Sequence, residues 1–128
     1  MLNGNVINDT QTATFVAGKA ITSGPFTAVT VGKDGAETCT SATVPMGLTL
    51  VEADDPIAVG DDVSVLIKDC GVWKAGATFA AGDLLASDDN GCAVKATTGK
   101  FILAVALEAA AAEGQPVSVQ IVKAGYSA

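Results

Sequence analysis

The sequence predicts an all-β fold, a small β-barrel or sandwich with short hairpins, and three observations predict it. Several short runs alternate apolar and polar residues, the period-2 pattern of strands with one covered face. Glycine-centred turn signals separate these runs at close intervals. Apolar residues make up 49% of the 128-residue chain while aromatics are only 5%, so the apolar mass is mostly Ala and Val. Small side chains of that kind suit thin, closely packed sheets. A chain of this length is one ordinary domain, with enough apolar surface for a core.

The first twelve residues, "MLNGNVINDTQT", are polar, Asn- and Thr-rich and aperiodic. They read as a flexible N-terminal arm (1–12) preceding a single β-domain (13–128). Fully extended, the arm reaches about 40 Å, and Leu2, Asn5, Val6 and Ile7 are its candidate contacts with a partner. In "PFTAVTV", Phe26, Ala28 and Thr30 alternate with Thr27, Val29 and Val31. "VSVLIK" sets Val63, Val65 and Ile67 against Ser64, Leu66 and Lys68. "FILAVAL", from Phe101, is apolar on both faces and marks a central strand. "VSVQIV" sets Val117, Val119 and Ile121 against Ser118 and Gln120. "GKDG" (32–35), "KDCG" (68–71) and "SDDNG" (87–91) supply turns, and Asn90-Gly91 is the strongest hairpin signal.

A small residue, Gly, then a polar residue recurs before strands. It appears at Ala17-Gly18-Lys19, Val59-Gly60-Asp61, Ala81-Gly82-Asp83 and Glu113-Gly114-Gln115. Glycine there supplies the positive φ of a tight turn, and the irregular spacing excludes a solenoid. Between the last two strands stands "LEAAAAEG", Leu107 to Gly114. Alanine has the highest helix propensity and the smallest side chain that keeps it. The expectation is a short helical corner held by packing and ended at Gly114, with Ala110 and Ala111 allowing close approach of a sheet or neighbouring subunit.

The charge balance narrows function. Seven Lys, no Arg, no His and a net charge of −7 leave no basic patch. Arg is the preferred residue for forked phosphate contacts, so nucleic-acid binding is excluded, and an acidic surface disfavours anionic membranes. The longest apolar run is far too short to span a bilayer. The start has no basic region leading into an apolar stretch, so it is no signal peptide, and synthesis in a cytoplasm is expected.

Catalytic constellations fail one by one. Cys39, Cys70 and Cys92 are widely spaced and lack His, which rules out the usual zinc sites. They read as small buried or half-buried hydrophobes in a reducing compartment. The acidic pairs Asp54-Asp55, Asp61-Asp62 and Asp88-Asp89 read as solvated turns; a calcium loop with its glycine at Gly91 would need acids where Ala86 and Thr97 stand. No nucleophile–base pair or phosphate-cradling loop is present. No catalytic residue, metal or cofactor is expected. Trp73, beside a turn, reads as the edge of a core, as an interface anchor, or as a stacking platform for a glycan.

As an ordered set, "DDPIAVGDDVSVLIKDCGVWKAG", "FAAGDLLASDDNGCAVKAT" and "FILAVALEAAAAEGQPVSVQIV" resemble the capsid cement (decoration) proteins of tailed phages. The resemblance covers about residues 54 to 123, with a looser match at "TATFVAGKAITSGPFTAV". It implies a β-tulip-like structural protein without catalytic residues. Such a protein binds major capsid protein on the outer surface of the virion, often as a homotrimer, and stabilises the expanded shell. A small glycan-binding β-module, using Trp73 and Tyr126, is the alternative.

Overall fold

The computed structural model describes residues 11–50 and 56–127. Among the described residues ten strands run in chain order: β1 (Thr12–Val16), β2 (Ala28–Gly32), β3 (Gly35–Thr38), β4 (Gly47–Thr49), β5 (Asp62–Leu66), β6 (Asp69–Lys74), β7 (Leu84–Ser87), β8 (Ala93–Lys95), β9 (Phe101–Ala106) and β10 (Pro116–Tyr126). They form two five-stranded antiparallel sheets, ordered β1-β5-β4-β2-β3 and β6-β10-β9-β7-β8. The all-β expectation holds, in its sandwich form. Neither sheet closes into a barrel: the edge strands of each meet only at one parallel bridge, Ala17 with Ala36 and Ala75 with Ala93.

Adding five to every strand of the first sheet gives the order of the second. The chain is therefore two halves of one topology joined at Ile67–Lys68. Hydrogen bonds repeat with it. Ala17 N donates to Asp61 O and Gly60 N to Ala17 O; Ala75 N donates to Gln115 O and Gly114 N to Ala75 O. Gly18 N reaches Ala36 O as Gly76 N reaches Ala93 O, and the bridge Ile21–Ile57 matches the bridge Phe79–Ala110. The sequence echoes this in "VSVLI" at 63–67 and "VSVQI" at 117–121, paired by register with Phe15 and Trp73 at equivalent places.

The recurrent glycine turn now has a geometry. Gly60, Gly82 and Gly114 have φ of 92°, 88° and 87°, a region that side-chain-bearing residues avoid. Around two of them the following Asp closes the turn. Asp61 Oδ2 accepts from Ala58 N at 3.1 Å, and Asp83 Oδ2 accepts from Ala80 N at 2.9 Å. At the third, Gln115 Oε1 accepts from Ala111 N instead. Gly18 is different: a Cβ there would stand 2.6 Å from the Asp34 carbonyl carbon, so close approach, not a positive φ, requires it.

The helical corner is corrected. Residues 107–115 contain no helix. Ala110 exchanges both backbone hydrogen bonds with Phe79, Leu107 N donates to Ser118 O, and Ser118 N donates to Glu108 Oε1. A segment shorter than ~12 residues gains too little from a helix to compete with such partners. What remains true is the close approach: Ala110 is 3% exposed and belongs to the main core.

β9 sits at the centre of its sheet and is buried on both faces at Ile102, Leu103 and Ala104. The Asn90-Gly91 hairpin joins β7 to β8. Val63 and Val65 lie in one apolar cluster with Ala17, Ile21 and Val29, while Leu66 points to the other, with Ala28, Leu48, Trp73, Val117 and Val119. The back of the first sheet therefore packs into the front of the second. At their contact, a Cβ added to Gly71 would collide with Leu66 Cδ2.

Candidate interaction surface

Of the residues singled out in the sequence, Leu2, Asn5, Val6 and Ile7 lie outside the described residues, as do Asp54 and Asp55. Ala110 is buried and Ala111 exposed at the corner between β9 and β10. Trp73 is fully buried, and its Nε1 donates to Gly91 O at 2.8 Å. Its indole fills the core of the second half and ties β6 to the β7–β8 hairpin. That placement removes it as a glycan platform on this chain's surface. Tyr126 is 67% exposed and meets Phe101 edge to face at 5.4 Å between centroids.

The remaining acidic pairs act in turns. Asp88 Oδ1 accepts from Asn90 N and Cys92 N, closing the β7–β8 hairpin. Its neighbour Asp89 reaches across the molecule: its Oδ1 accepts from Ser41 N at 3.0 Å and Ser41 Oγ at 2.9 Å. Lys100 Nζ donates to Ser41 O from the second half as well. The Ser41 donors, helped by Lys100, hold the Asp89 carboxyl below its ordinary range. Lys74 N and Nζ donate to Phe26 O and Ser23 O, and Ala28 N to Gly91 O. These bonds fix the two halves to one another.

The cysteines are free. Cys39 is buried and its thiol is pushed up by desolvation, against lowering bonds from Thr43, Ser87 and Thr40. Cys92 is half-buried, with its thiol pushed up by desolvation and by Asp88. Cys70 departs from the expectation of burial. It stands exposed on β6, an edge strand, opposite the exposed Gln120. Among the described residues no three acidic or sulfur ligands cluster as a metal site would require, and no cavity is present.

What the surface offers instead is a partly exposed row on the back of the second sheet, beside buried Leu103 and Ala86 on the same face. Across the back of the second half, paired residues run Leu84, Val105, Gln120, Cys70 over β7, β9, β10 and β6. Leu84 is 45% exposed, with Leu107 and Val122 exposed nearby in the same sheet region. The first-half equivalents are Ala28, Leu48, Leu66 and Thr12. Sequence periodicity located these strands. It could not show which of two similar backs is covered, because that depends on how the halves pack.

Two antiparallel five-stranded sheets with acids held in their turns define an all-β double-sheet protein. A family model described as phage cement protein matches residues 6–121. The chain belongs to that family, and so is a phage capsid-associated structural protein. Among solved structures, it is similar to "The crystal structure of head fiber gp8.5 N base in bacteriophage phi29". The two share 22% identity with a TM-score of 0.64, over 91% of this chain and 98% of that one. At that identity the likeness bears on the fold. No curated protein matches the sequence.

Proposed function

We propose that this protein is a cement protein that binds major capsid protein on the outer surface of a phage head and stabilises the expanded shell. The observation that carries the reading is the family match across residues 6–121. The frame suits the role: two sheets, hydrogen-bonded to each other at Ser41–Asp89 and Lys74–Ser23, make a stiff body that can bridge neighbouring shell subunits. Such a protein acts by adding buried area across subunit junctions. The net charge of −7 fits an outer face, away from packaged DNA. The arm ahead of β1 adds strand pairing to the shell through Leu2, Asn5, Val6 and Ile7, and the bound form is a homotrimer.

Co-sedimentation of the purified chain with expanded, undecorated heads tests this. Saturation at a copy number fixed by the shell lattice is expected, with decorated heads surviving heating that opens bare ones. Absence of saturable binding overturns the proposal. Deleting residues 2–10, which leaves the Gln11 and Thr12 pairing with β5 in place, is expected to weaken binding while leaving the melting temperature unchanged.

A further inference from the structure

The tip of the β7–β8 hairpin sets a reactive dipeptide, Asn90-Gly91, among the bonds that tie the two halves together. Asn90 is exposed, and its N–H is held by Asp88 Oδ1. Gly91 follows it in a positive-φ conformation, 78°, and its N–H donates to Asp88 O over a long 3.2 Å. We propose that Asn90 is a site of spontaneous covalent modification, in which the Gly91 nitrogen displaces the Asn90 side-chain amide, and that the hairpin's bonds to the rest of the molecule gate the reaction.

The chemistry requires water and base alone. Base removes the Gly91 N–H proton, the nitrogen attacks Asn90 Cγ, and a C–N bond forms. The side-chain amide leaves as ammonia, taking its proton from water. The five-membered succinimide that results then takes up one water. Opening at Cγ gives aspartate on the original backbone. Opening at the Asn90 backbone carbonyl gives isoaspartate, with Cβ inserted into the chain. One water enters, one ammonia leaves, and nothing is oxidised or reduced. Glycine favours ring closure because it brings no Cβ to obstruct the attack and its backbone turns freely.

The fold decides when this can happen. Asp88 Oδ1 accepts from Asn90 N at 2.8 Å and Cys92 N at 2.9 Å, which fixes the hairpin ahead of and beyond the dipeptide. Gly91 O accepts from Ala28 N of the first half at 2.7 Å and from the Trp73 indole at 2.8 Å. Gly91 lies so close to Ala28 that an added Cβ would stand 2.7 Å from Ala28 O. Asp89, one position earlier, is bonded to Ser41. The peptide between Asn90 and Gly91 is therefore pinned on both sides and swings toward the side chain only when the hairpin opens. Such local openings cost less than global unfolding, so the folded protein converts at a rate set by its open population.

The two products differ in consequence. Isoaspartate lengthens the backbone beside Gly91 and carries Gly91 O away from its two donors. Ala28 and Trp73 are both fully buried, so their N–H groups are left without partners, a costly arrangement. Aspartate keeps the backbone and the bonds. Either product adds one negative charge to the formal −7, next to Asp88 and Asp89.

The test follows conversion of the full chain at mildly alkaline pH, folded and unfolded in guanidinium chloride. Trypsin releases residues 75–95, whose one asparagine is Asn90, and mass spectrometry reads amide against acid and isoaspartate against aspartate. The other Asn-Gly pair, Asn3-Gly4, lies outside the described residues and on a separate tryptic peptide. Conversion at Asn90 is expected in both states, at least about tenfold slower when folded, the ratio that an opening free energy of about 1.4 kcal/mol gives. Ser41→Ala and Trp73→Phe, which each remove one donor from the hairpin, should speed the folded reaction. Aged protein enriched in isoaspartate should melt at lower temperature, whereas Asn90→Asp melts close to the wild type and aged Asn90→Gln does not change. No conversion at Asn90 in the unfolded chain overturns the site. Equal folded and unfolded rates, or folded rates that neither variant alters, overturn the gate. An isoaspartate form that melts like the wild type overturns the link to the bonds of Gly91 O.

Discussion

The two halves of the molecule share strand order, register and turn geometry, yet one row on the back of the first sheet is covered while the equivalent row of the second is partly exposed. The difference lies in one row of residues. Where β5 reads "VSVLI", β10 reads "VSVQI", so the buried Leu66 is replaced by the exposed Gln120. Fronts differ in the opposite sense. Phe15 of the first half is half-buried, while its equivalent Trp73 is fully buried. The lesson is that a sheet's fold is set by its strands and turns, whereas its role is set by which face has a neighbour.

Truncation at equivalent positions gives the largest expected effect. Trp73→Ala should cost about 3–5 kcal/mol, the range for large aromatic deletions in a core. Phe15→Ala should cost less than half of that, because Phe15 is already partly solvated. Chemical denaturation of both variants checks it, and equal losses would break the comparison.

Next comes the contact between halves. Gly71 takes the place that Ala13 holds in the first half, and Leu66 occupies the space its Cβ would need. Gly71→Ala should cost about 1–3 kcal/mol through overpacking, moderated by the flexibility of the leucine tip. Adding Leu66→Ala should remove most of the further cost of Gly71→Ala. A double-mutant cycle with no coupling would place Leu66 elsewhere.

A smaller effect concerns pH. Asp89 has a depressed folded pKa, so its contribution is present above the ordinary carboxylate value of ~3.9 and is lost as pH falls through the folded value. Thermal melts below pH 4 should therefore fall less steeply for Asp89→Asn than for the wild type. The group is fully exposed, so the difference should be small. Identical pH profiles would show that the Ser41 latch carries no stability.

The mildest perturbation is chemical labelling. A thiol reagent at neutral pH should modify Cys70 in the folded protein and reach Cys39 only on unfolding, because Cys39 is buried with a raised thiol pKa. Mass spectrometry before and after denaturation reads this directly. Early modification of Cys39 would contradict the packing of the first half's back.

Much of the fold was legible in local pattern. Alternation at Val63–Leu66 and Val117–Ile121 located β5 and β10, and the doubly apolar "FILAVAL" identified the central β9. What failed was whatever depended on distant partners. Ala110 looked helical because propensity is local, but its hydrogen bonds go to Phe79, thirty-one positions away in the chain. The repeated Gly turns were visible, yet they mixed two kinds of glycine, so the duplication behind them was hidden. Trp73 is compatible with core, interface or platform in sequence, since nothing in "CGVWKAG" reveals that Gly91 O receives its indole N–H. The covered and exposed rows differ at Leu66 against Gln120, but which row is covered depends on packing between the halves, which no single segment encodes.

One measurement tests the central comparison most directly: the stability of Leu48→Ala beside that of Val105→Ala, two residues at the same register of the two backs. Leu48 is fully buried between the halves and should cost about 2–5 kcal/mol on truncation. Val105 is half-buried in the partly exposed row and should cost under about 1 kcal/mol in the isolated chain. Comparable losses at the two positions would contradict the account, because they would mean that both rows are covered, or that neither is.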